Sequence, residues 1–383
     1  MLKSISILCG CASCALSFGC AAAPVSGDTD SENQQLSKTD TSTPCVASIA
    51  AGANHSCAIT GAGVYCWGGN QPAHFVAGLP TRAQAISAGV DHNCAKIDGG
   101  AYCWGQNETG QLGNGTTVDS EIAVQAEHTS SAVGAGAAHS CAIVKGRVEC
   151  WGYNYVDLRH FGDPDAKADV VSLVPVRVEG LPKGATAIAL GMVHTCAIAR
   201  GGAYCWGANL NGELGDGSTT DSLVAVPVVG LSSGVTAIAA GNSASCAVVG
   251  GGVWCWGSGL LGNGTASDSP VPVPVPALTS EVTALAAGAN FMCALVRGAV
   301  YCWGSNWTGQ LGNGTYTDSL VPVQVMNLGS GVTAVDADGG GQHACAIQLG
   351  IAVCWGRRVS GQLGAGSGDS SPVPLPVQFP FSL

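Results

Sequence analysis

The sequence predicts an all-β fold, a seven-bladed β-propeller of four-stranded blades with a disulfide inside each blade. Three observations carry that prediction. A cysteine, eight residues, a second cysteine and then Trp-Gly recur seven times, the first cysteines standing at 57, 94, 141, 196, 246, 293 and 345. Small and β-branched residues precede the pair, and a Gly-rich turn with a Val/Pro stretch follows it. Self-similarity at this period marks a repeat architecture, and four short strands per repeat make one propeller blade.

Strand 1 of each repeat is the alanine-rich run, Val-Thr-Ala-Ile-Ala-Ala-Gly at 235–241, with relatives at 46–52, 185–191, 282–288 and 332–338. So many small side chains suit a strand packed where neighbours crowd, nearest the axis. Strands 2 and 3 are a tight hairpin whose midpoints are Gly61-Ala62, Asp98-Gly99, Lys145-Gly146, Arg200-Gly201, Gly250-Gly251, Arg297-Gly298 and Leu349-Gly350. Each contains glycine, as a turn with positive φ requires.

Counting outward from the turn, Thr60 faces Gly63, Ile59 faces Val64, Ala58 faces Tyr65 and Cys57 faces Cys66. The cysteines fall at a non-hydrogen-bonded position, where Cα atoms approach to about 4.5 Å. That is within reach of a disulfide. Seven bridges follow: Cys57/Cys66, Cys94/Cys103, Cys141/Cys150, Cys196/Cys205, Cys246/Cys255, Cys293/Cys302 and Cys345/Cys354. A zinc site fits these isolated, widely spaced pairs poorly, because zinc ligands converge from close pairs. The tryptophans after the second cysteine alternate away from the disulfide face and are expected between blades.

Strand 4 is the Val/Pro stretch, such as Val271–Pro276. Proline cannot donate to a central ladder, so this strand lies outermost. Before it runs Gly-Gln-Leu-Gly-Asn-Gly-Thr at 110–116 and 309–315, varied at 212–218, 259–265 and 361–367. Asp-Ser steps at 119–120, 221–222, 268–269, 318–319 and 369–370 are read as loop braces through local side-chain hydrogen bonds. Each supplies one carboxylate, too few for calcium.

Histidines stand two residues before the first cysteine at 55, 92, 139, 194 and 343, replaced by Ala244 and Phe291. A ring of imidazoles near the axis that binds a metal or an anion is the sharper reading. Five dispersed copies favour buried structural histidines that satisfy turn backbone, and no metal or other cofactor is expected. No Ser/His/Asp or paired-carboxylate constellation stands out, so no catalytic residue is assigned.

The third repeat alone breaks pattern after Trp151, with Tyr153, Tyr155, Asp157, Arg159, His160, Asp163 and Asp165 in place of the Gly-rich turn. Insertions in repeat proteins often map to the binding face. Aromatics with arginine are interface anchors. Tyr153, Tyr155, Arg159 and His160, with Trp307, are therefore the candidate partner-binding residues; a tolerated, solvated insertion is the plain alternative. Trp254 and Trp307 lie outside the tryptophan register and are candidates for exposed contacts. In an antiparallel blade the strand 1–2 and 3–4 loops share one face, a rim that gathers the histidine turns, this insertion and Trp307. The hairpin glycines lie on the other face, which looks featureless.

Residues 1–19 read as a secretory signal, apolar from Ile5 to Gly19. Leu16-Ser17-Phe18-Gly19-Cys20 resembles a bacterial lipoprotein cleavage box, with Cys20 the lipid-bearing residue; Cys14 or plain secretion is the alternative. Residues 20–45 form an acidic, polar linker ahead of the ring at 46–383. Cys45 is an odd thiol, paired with a partner chain or free. Charged residues are only 10% of the chain and net charge is −11, with no run of basic residues. Nucleic-acid binding needs a cationic footprint and is excluded on that ground.

The phrase AGxxHSCAI…GxVYCWGxNxxGQLGNGTxxDSxxPVxV resembles the regulator of chromosome condensation repeat family, over residues 46–383. The resemblance implies seven blades. The cysteine pairs depart from its nuclear members and are similar to secreted bacterial relatives, some of which inhibit enzymes. A secreted chain has no access to a nuclear GTPase, so nucleotide exchange is not expected. The expectation is an extracytoplasmic lipoprotein, or a secreted protein, that binds an extracellular or envelope protein and touches membrane only through its anchor. Two alternatives remain: a carbohydrate-binding module using Trp254, Trp307 and Tyr155, and a hydrolase or lyase using Asp157, His160 and Asp163.

Overall fold

Twenty-eight strands form seven separate four-stranded antiparallel sheets, each built from one continuous stretch of chain in the order 1-2-3-4. The computed structural model describes residues 45–80, 82–153, 171–366 and 368–380, with backbone alone at 127–129. Blades 1 to 7 span 46–75, 85–129, 132–177, 185–227, 235–274, 282–324 and 332–376. Strand 1 of each blade packs beside strand 1 of its neighbours, and that of blade 1 (Val46–Ala51) meets that of blade 7 (Val332–Ala337), closing the ring. The alanine-rich strands do line the axis.

The hairpin register is the expected one in every blade, with each first cysteine opposite its second. All seven expected bridges are present: Cys57–Cys66, Cys94–Cys103, Cys141–Cys150, Cys196–Cys205, Cys246–Cys255, Cys293–Cys302 and Cys345–Cys354. Their Cα separations are 4.0–4.1 Å, closer than the spacing expected from the ladder alone. Six turns have positive φ at both central residues, including the non-glycines Asp98, Lys145, Arg200, Arg297 and Leu349. That is the primed turn whose twist matches the strands. The first differs: neither Gly61 nor Ala62 has positive φ, and Gly63 does instead. There Thr60 Oγ1 accepts from the Ala62 amide at 3.2 Å and donates to the Gly63 carbonyl at 3.0 Å, so a side chain holds the corner.

Strand 4 bulges opposite the tryptophan in every blade. A bulge frees backbone groups from the ladder. The serine of the Asp-Ser step recovers one: Ser120 Oγ donates to the Ile122 carbonyl at 2.7 Å, and Ser222, Ser269 and Ser319 do the same, while in blade 7 Ser371, the residue after the step, takes this role.

Each interface between blades has its own apolar core, made from the disulfide of one blade and the tryptophan of the next. Cys94 and Cys103 pack with Trp151, and Cys196 and Cys205 with Trp256. Cys246 and Cys255 meet Trp303, and Cys293 and Cys302 meet Trp355. At ring closure Cys345 and Cys354 pack with Trp67. Cys45 is disulfide-bonded, which corrects the expectation that it is free. Among the described residues no helix is long and apolar enough to cross a membrane.

Candidate interaction surface

The histidines are built into the seams between blades. His92 Nε2 lies 2.8 Å from Ser140 Oγ in the next blade, and Ser140 Oγ donates to the Gln111 carbonyl of His92's own blade at 2.9 Å. The hydroxyl proton is thereby used, so the imidazole must donate Nε2–H. The same chain runs from His194 through Ser245 to Glu213, and at ring closure from His343 through Ser56 to Gln362. His55 reaches Asn93 and His139 reaches Thr195. The partners are thus hydroxyls and an amide of the neighbouring blade, rather than the turn backbone expected from sequence. Where histidine is replaced, the facing residue is apolar: Met292 follows Ala244, and Ala344 follows Phe291.

That exchange gives a stability prediction. Ser140→Ala strands a buried N–H and is expected to cost about 1–3 kcal/mol. The double variant His92→Ala/Ser140→Met, copying the apolar seam, is expected to recover most of it in a thermal-melting double-mutant cycle. Additive losses would show that the pair is not a coupled unit.

The Gly-Gln-Leu-Gly turn clasps the next blade at a second level. The Gln111 carbonyl also accepts Trp151 Nε1–H at 2.8 Å, and Glu213, Gln310 and Gln362 serve Trp256, Trp355 and Trp67 likewise. The glycine amides beyond it bond the outer strand of that blade, as Gly217 N does the Pro270 carbonyl at 3.0 Å. Blade 5 has a shorter turn, and Trp303 Nε1 has no partner there.

Rim loops are braced from within. Asn306 accepts the Leu311 amide, donates through Nδ2 to the Thr315 and Thr317 carbonyls, and gives its own amide to Asp318 at 2.7 Å. Asn107 with Asp119 and Asn209 with Asp221 repeat the arrangement, so these Asp-Ser steps are braces. The brace projects the following residue into solvent: Glu108, Leu210 and Trp307. In blade 7, where Arg358 takes the asparagine position, it projects Val359. Trp307 is 62% exposed, and Tyr316, also exposed, donates its hydroxyl to the Ser370 carbonyl of blade 7 at 3.0 Å.

Of the other sequence candidates, Tyr153 ends strand 3 of blade 3 and is half-buried against a cavity between blades 3 and 4 lined by His139, Trp206 and Leu223. Tyr155, Asp157, Arg159, His160, Asp163, Asp165 and Cys20 lie outside the described residues. Trp254 is a correction: it is half-buried in the slot filled by Tyr65, Tyr102, Tyr204 and Tyr301 in other blades, opposite Pro274. Among the described residues no group of three His, Cys, Asp or Glu is placed to hold a metal ion.

Sequence reasoning missed the centre of the ring. Asp336 stands where the repeat has alanine, and Asp338 where it has glycine. Both line the axial cavity, of about 260 Å³, and burial pushes each carboxyl up to about 7. Asp336 Oδ2 accepts the otherwise unpaired Ala51 amide of the closing seam at 2.8 Å, as Ser87 does for Ala135. Blade 7 also has a longer strand 1–2 loop, Gly339-Gly340-Gly341. It packs against blades 4 and 5 at Gly191, Met192 and Gly241, against Val90 and Ala53, and accepts the Ala289 amide. It therefore lies across the rim-side mouth of the channel, and a Cβ there would collide with several blades at once.

The family model described as the Regulator of chromosome condensation (RCC1) repeat matches residues 98–143, 200–248, 250–295 and 297–347, and a second model of that description matches 46–71. No curated protein matches the chain. Similar solved structures include Prp20p of Saccharomyces cerevisiae, 20% identical with a TM-score of 0.71 over 88% of each chain, described for its binding to Gsp1p and histones. Human WBSCR16 is 22% identical with a TM-score of 0.64, over 76% of this chain and 84% of that one. The ectodomain of the Physcomitrella patens receptor kinase CR4 is 19% identical with a TM-score of 0.52, over 82% and 73%. At these identities the likeness shows the fold.

Proposed function

Because the chain belongs to the regulator of chromosome condensation (RCC1) repeat family, we propose that it is an exported, lipid-anchored propeller that binds another protein through its rim. Seven disulfides fit an oxidising compartment, where such bridges persist. Residues 1–19 would direct export, Cys20 would carry the lipid, and 20–45 would tether the ring. The partner would be an extracellular or envelope protein, inhibited or regulated by steric complementarity without covalent chemistry.

The observation that carries this reading is Trp307. A braced loop holds a large aromatic 62% exposed on a rigid ring, with Leu210 and Val359 presented by equivalent loops. Large rigid aromatics give much contact area for little ordering entropy, which is what hot spots use. Exposing them has no benefit for the isolated fold.

Trp307→Ala is accordingly expected to leave the melting temperature within a few degrees while removing the partner. Cross-linking capture from native envelope and medium would read this. One dominant protein, lost with Trp307→Ala, supports the rim; undiminished capture by the variant would place binding elsewhere. A glycan array tests the carbohydrate reading that an exposed tryptophan also favours. Labelled palmitate tests the anchor at Cys20.

A further inference from the structure

The face opposite the rim is not featureless: folding sorts charge between the two faces. Lys145, Arg200 and Arg297 occupy hairpin turns at positive φ. Arg82 and Lys183 sit on connections touching hairpin turns, Arg82 donating to the Gly61 carbonyl of the blade 1 turn and the Lys183 carbonyl accepting from Arg200. Lys96, Arg147 and Arg177 lie at strand ends on the same side. The acids there are Asp98, Glu127, Glu149, Glu179 and Glu281, the last paired with Arg297, against eight bases. On the rim the balance reverses. Asp91, Glu108, Glu213, Asp216 and the aspartates of the five Asp-Ser steps face only Arg357 and Arg358 among the described residues.

Two further observations concern this cationic face. The ring begins there: the Val46 amide bonds the Gly350 carbonyl at 2.9 Å, so the chain that precedes the ring joins it at a hairpin turn. Beside that point Leu349 is 54% exposed at a φ of 52°, a position that favours asparagine or glycine. A branched apolar side chain there is unfavourable both for the turn and for water.

We propose that the hairpin face docks on an anionic lipid surface, with Leu349 entering the headgroup layer and the rim directed away. The net charge of −11 does not oppose this. Six-residue strands separate the faces by about 20 Å, roughly two screening lengths at physiological salt. The membrane therefore meets mainly the near face. A tether joining on that face holds it toward the membrane and leaves Trp307 for a partner. This setting rests on the exported, anchored reading; the charge pattern does not.

The test is co-sedimentation of the refolded full chain, which carries no acyl group, with vesicles of phosphatidylcholine containing about a quarter phosphatidylglycerol. Binding is expected to exceed that to pure phosphatidylcholine by about tenfold and to fall with added salt. The variant Lys145→Asn/Arg200→Asn/Leu349→Asn places Asn-Gly in three turns, the pair most favourable to them, so folding is preserved or improved. It is expected to lose about tenfold in binding, whereas Asp91→Asn/Glu108→Gln on the rim should not. Equal binding to neutral vesicles, or full binding by the triple variant, overturns the proposal. So does a preference for heparin or DNA over vesicles, which would make the face a general polyanion site. Because no acyl group is present, palmitate labelling of the wild-type chain reports on the anchor separately.

Discussion

Reducing all seven disulfides is expected to unfold the ring at room temperature. Each bridge closes a loop of about ten residues, for which chain entropy allows at most about 2–3 kcal/mol. The hairpin turn already orders that loop, so the gain per bridge is smaller. Even about 1 kcal/mol from each would together approach the entire net stability of a typical domain. Alternative stabilisation is scarce, because the axial strands are rich in alanine, which buries little apolar area per residue. The bridges also fill the seams, each packed on the next blade's tryptophan. Most of the bridging cysteines are inaccessible, Cys57, Cys94, Cys103, Cys246, Cys255 and Cys302 among them, so reductant acts only through opening of the fold. Reduction in mild denaturant should therefore be slow and cooperative, and the reduced chain should regain its melting transition only on reoxidation. A fully reduced chain melting within a few degrees of the oxidised one would show that the bridges are redundant.

The fold was legible because its determinants are local. A turn glycine, a cysteine four residues before its hairpin's midpoint and one four residues after it fix register within a single hairpin, and seven copies repeat the statement. Strand 4 was legible because proline excludes every position but an edge. The site was less legible because its determinants are relations between blades. His92 and Ser140 belong to different repeats, and only the ring shows that one completes the other. The signal was nonetheless present. Serine, threonine or asparagine follows the histidine position wherever the preceding blade supplies a histidine, and Met292 or Ala344 where it does not. Trp254 was misread because its distance from the regular tryptophans hid its membership of the tyrosine series. The cationic face escaped because Lys145, Arg200 and Arg297 are scattered singly along the chain, and antiparallel topology alone collects them.

Acidification from pH 7.5 to 5 is expected to destabilise the ring by about 3 kcal/mol, a substantial part of its stability. Burial holds His92, His194 and His343 down to about 3 and His139 to about 4, and lowers His55 as well. The folded ring therefore keeps them neutral while the unfolded chain takes up protons below about 6.5. Their contribution is complete above that value and is lost as pH falls. Asp336 and Asp338 act in the opposite direction. Burial raises each to about 7, so between about 4 and 7 the folded state holds two protons that the unfolded chain has released. Their contribution is present at low pH and is lost as pH rises through 7. In the shared window the four histidines held near 3 to 4 outweigh the two carboxyls, leaving about two protons in favour of unfolding and a net loss of about 3 kcal/mol per pH unit, to which the lowered His55 adds in the same direction. Melting temperature followed by circular dichroism from pH 8 to 4 should fall steeply below 6.5. Asp336→Asn/Asp338→Asn should melt higher than wild type at pH 8 and lose stability more steeply on acidification, since the offsetting carboxyls are gone. The His92→Ala/Ser140→Met chain should show a shallower fall, having one titrating seam fewer. A melting temperature flat or rising between pH 7 and 5 would mean that the histidines are solvated in the folded ring, and the account of the seams would fail with it.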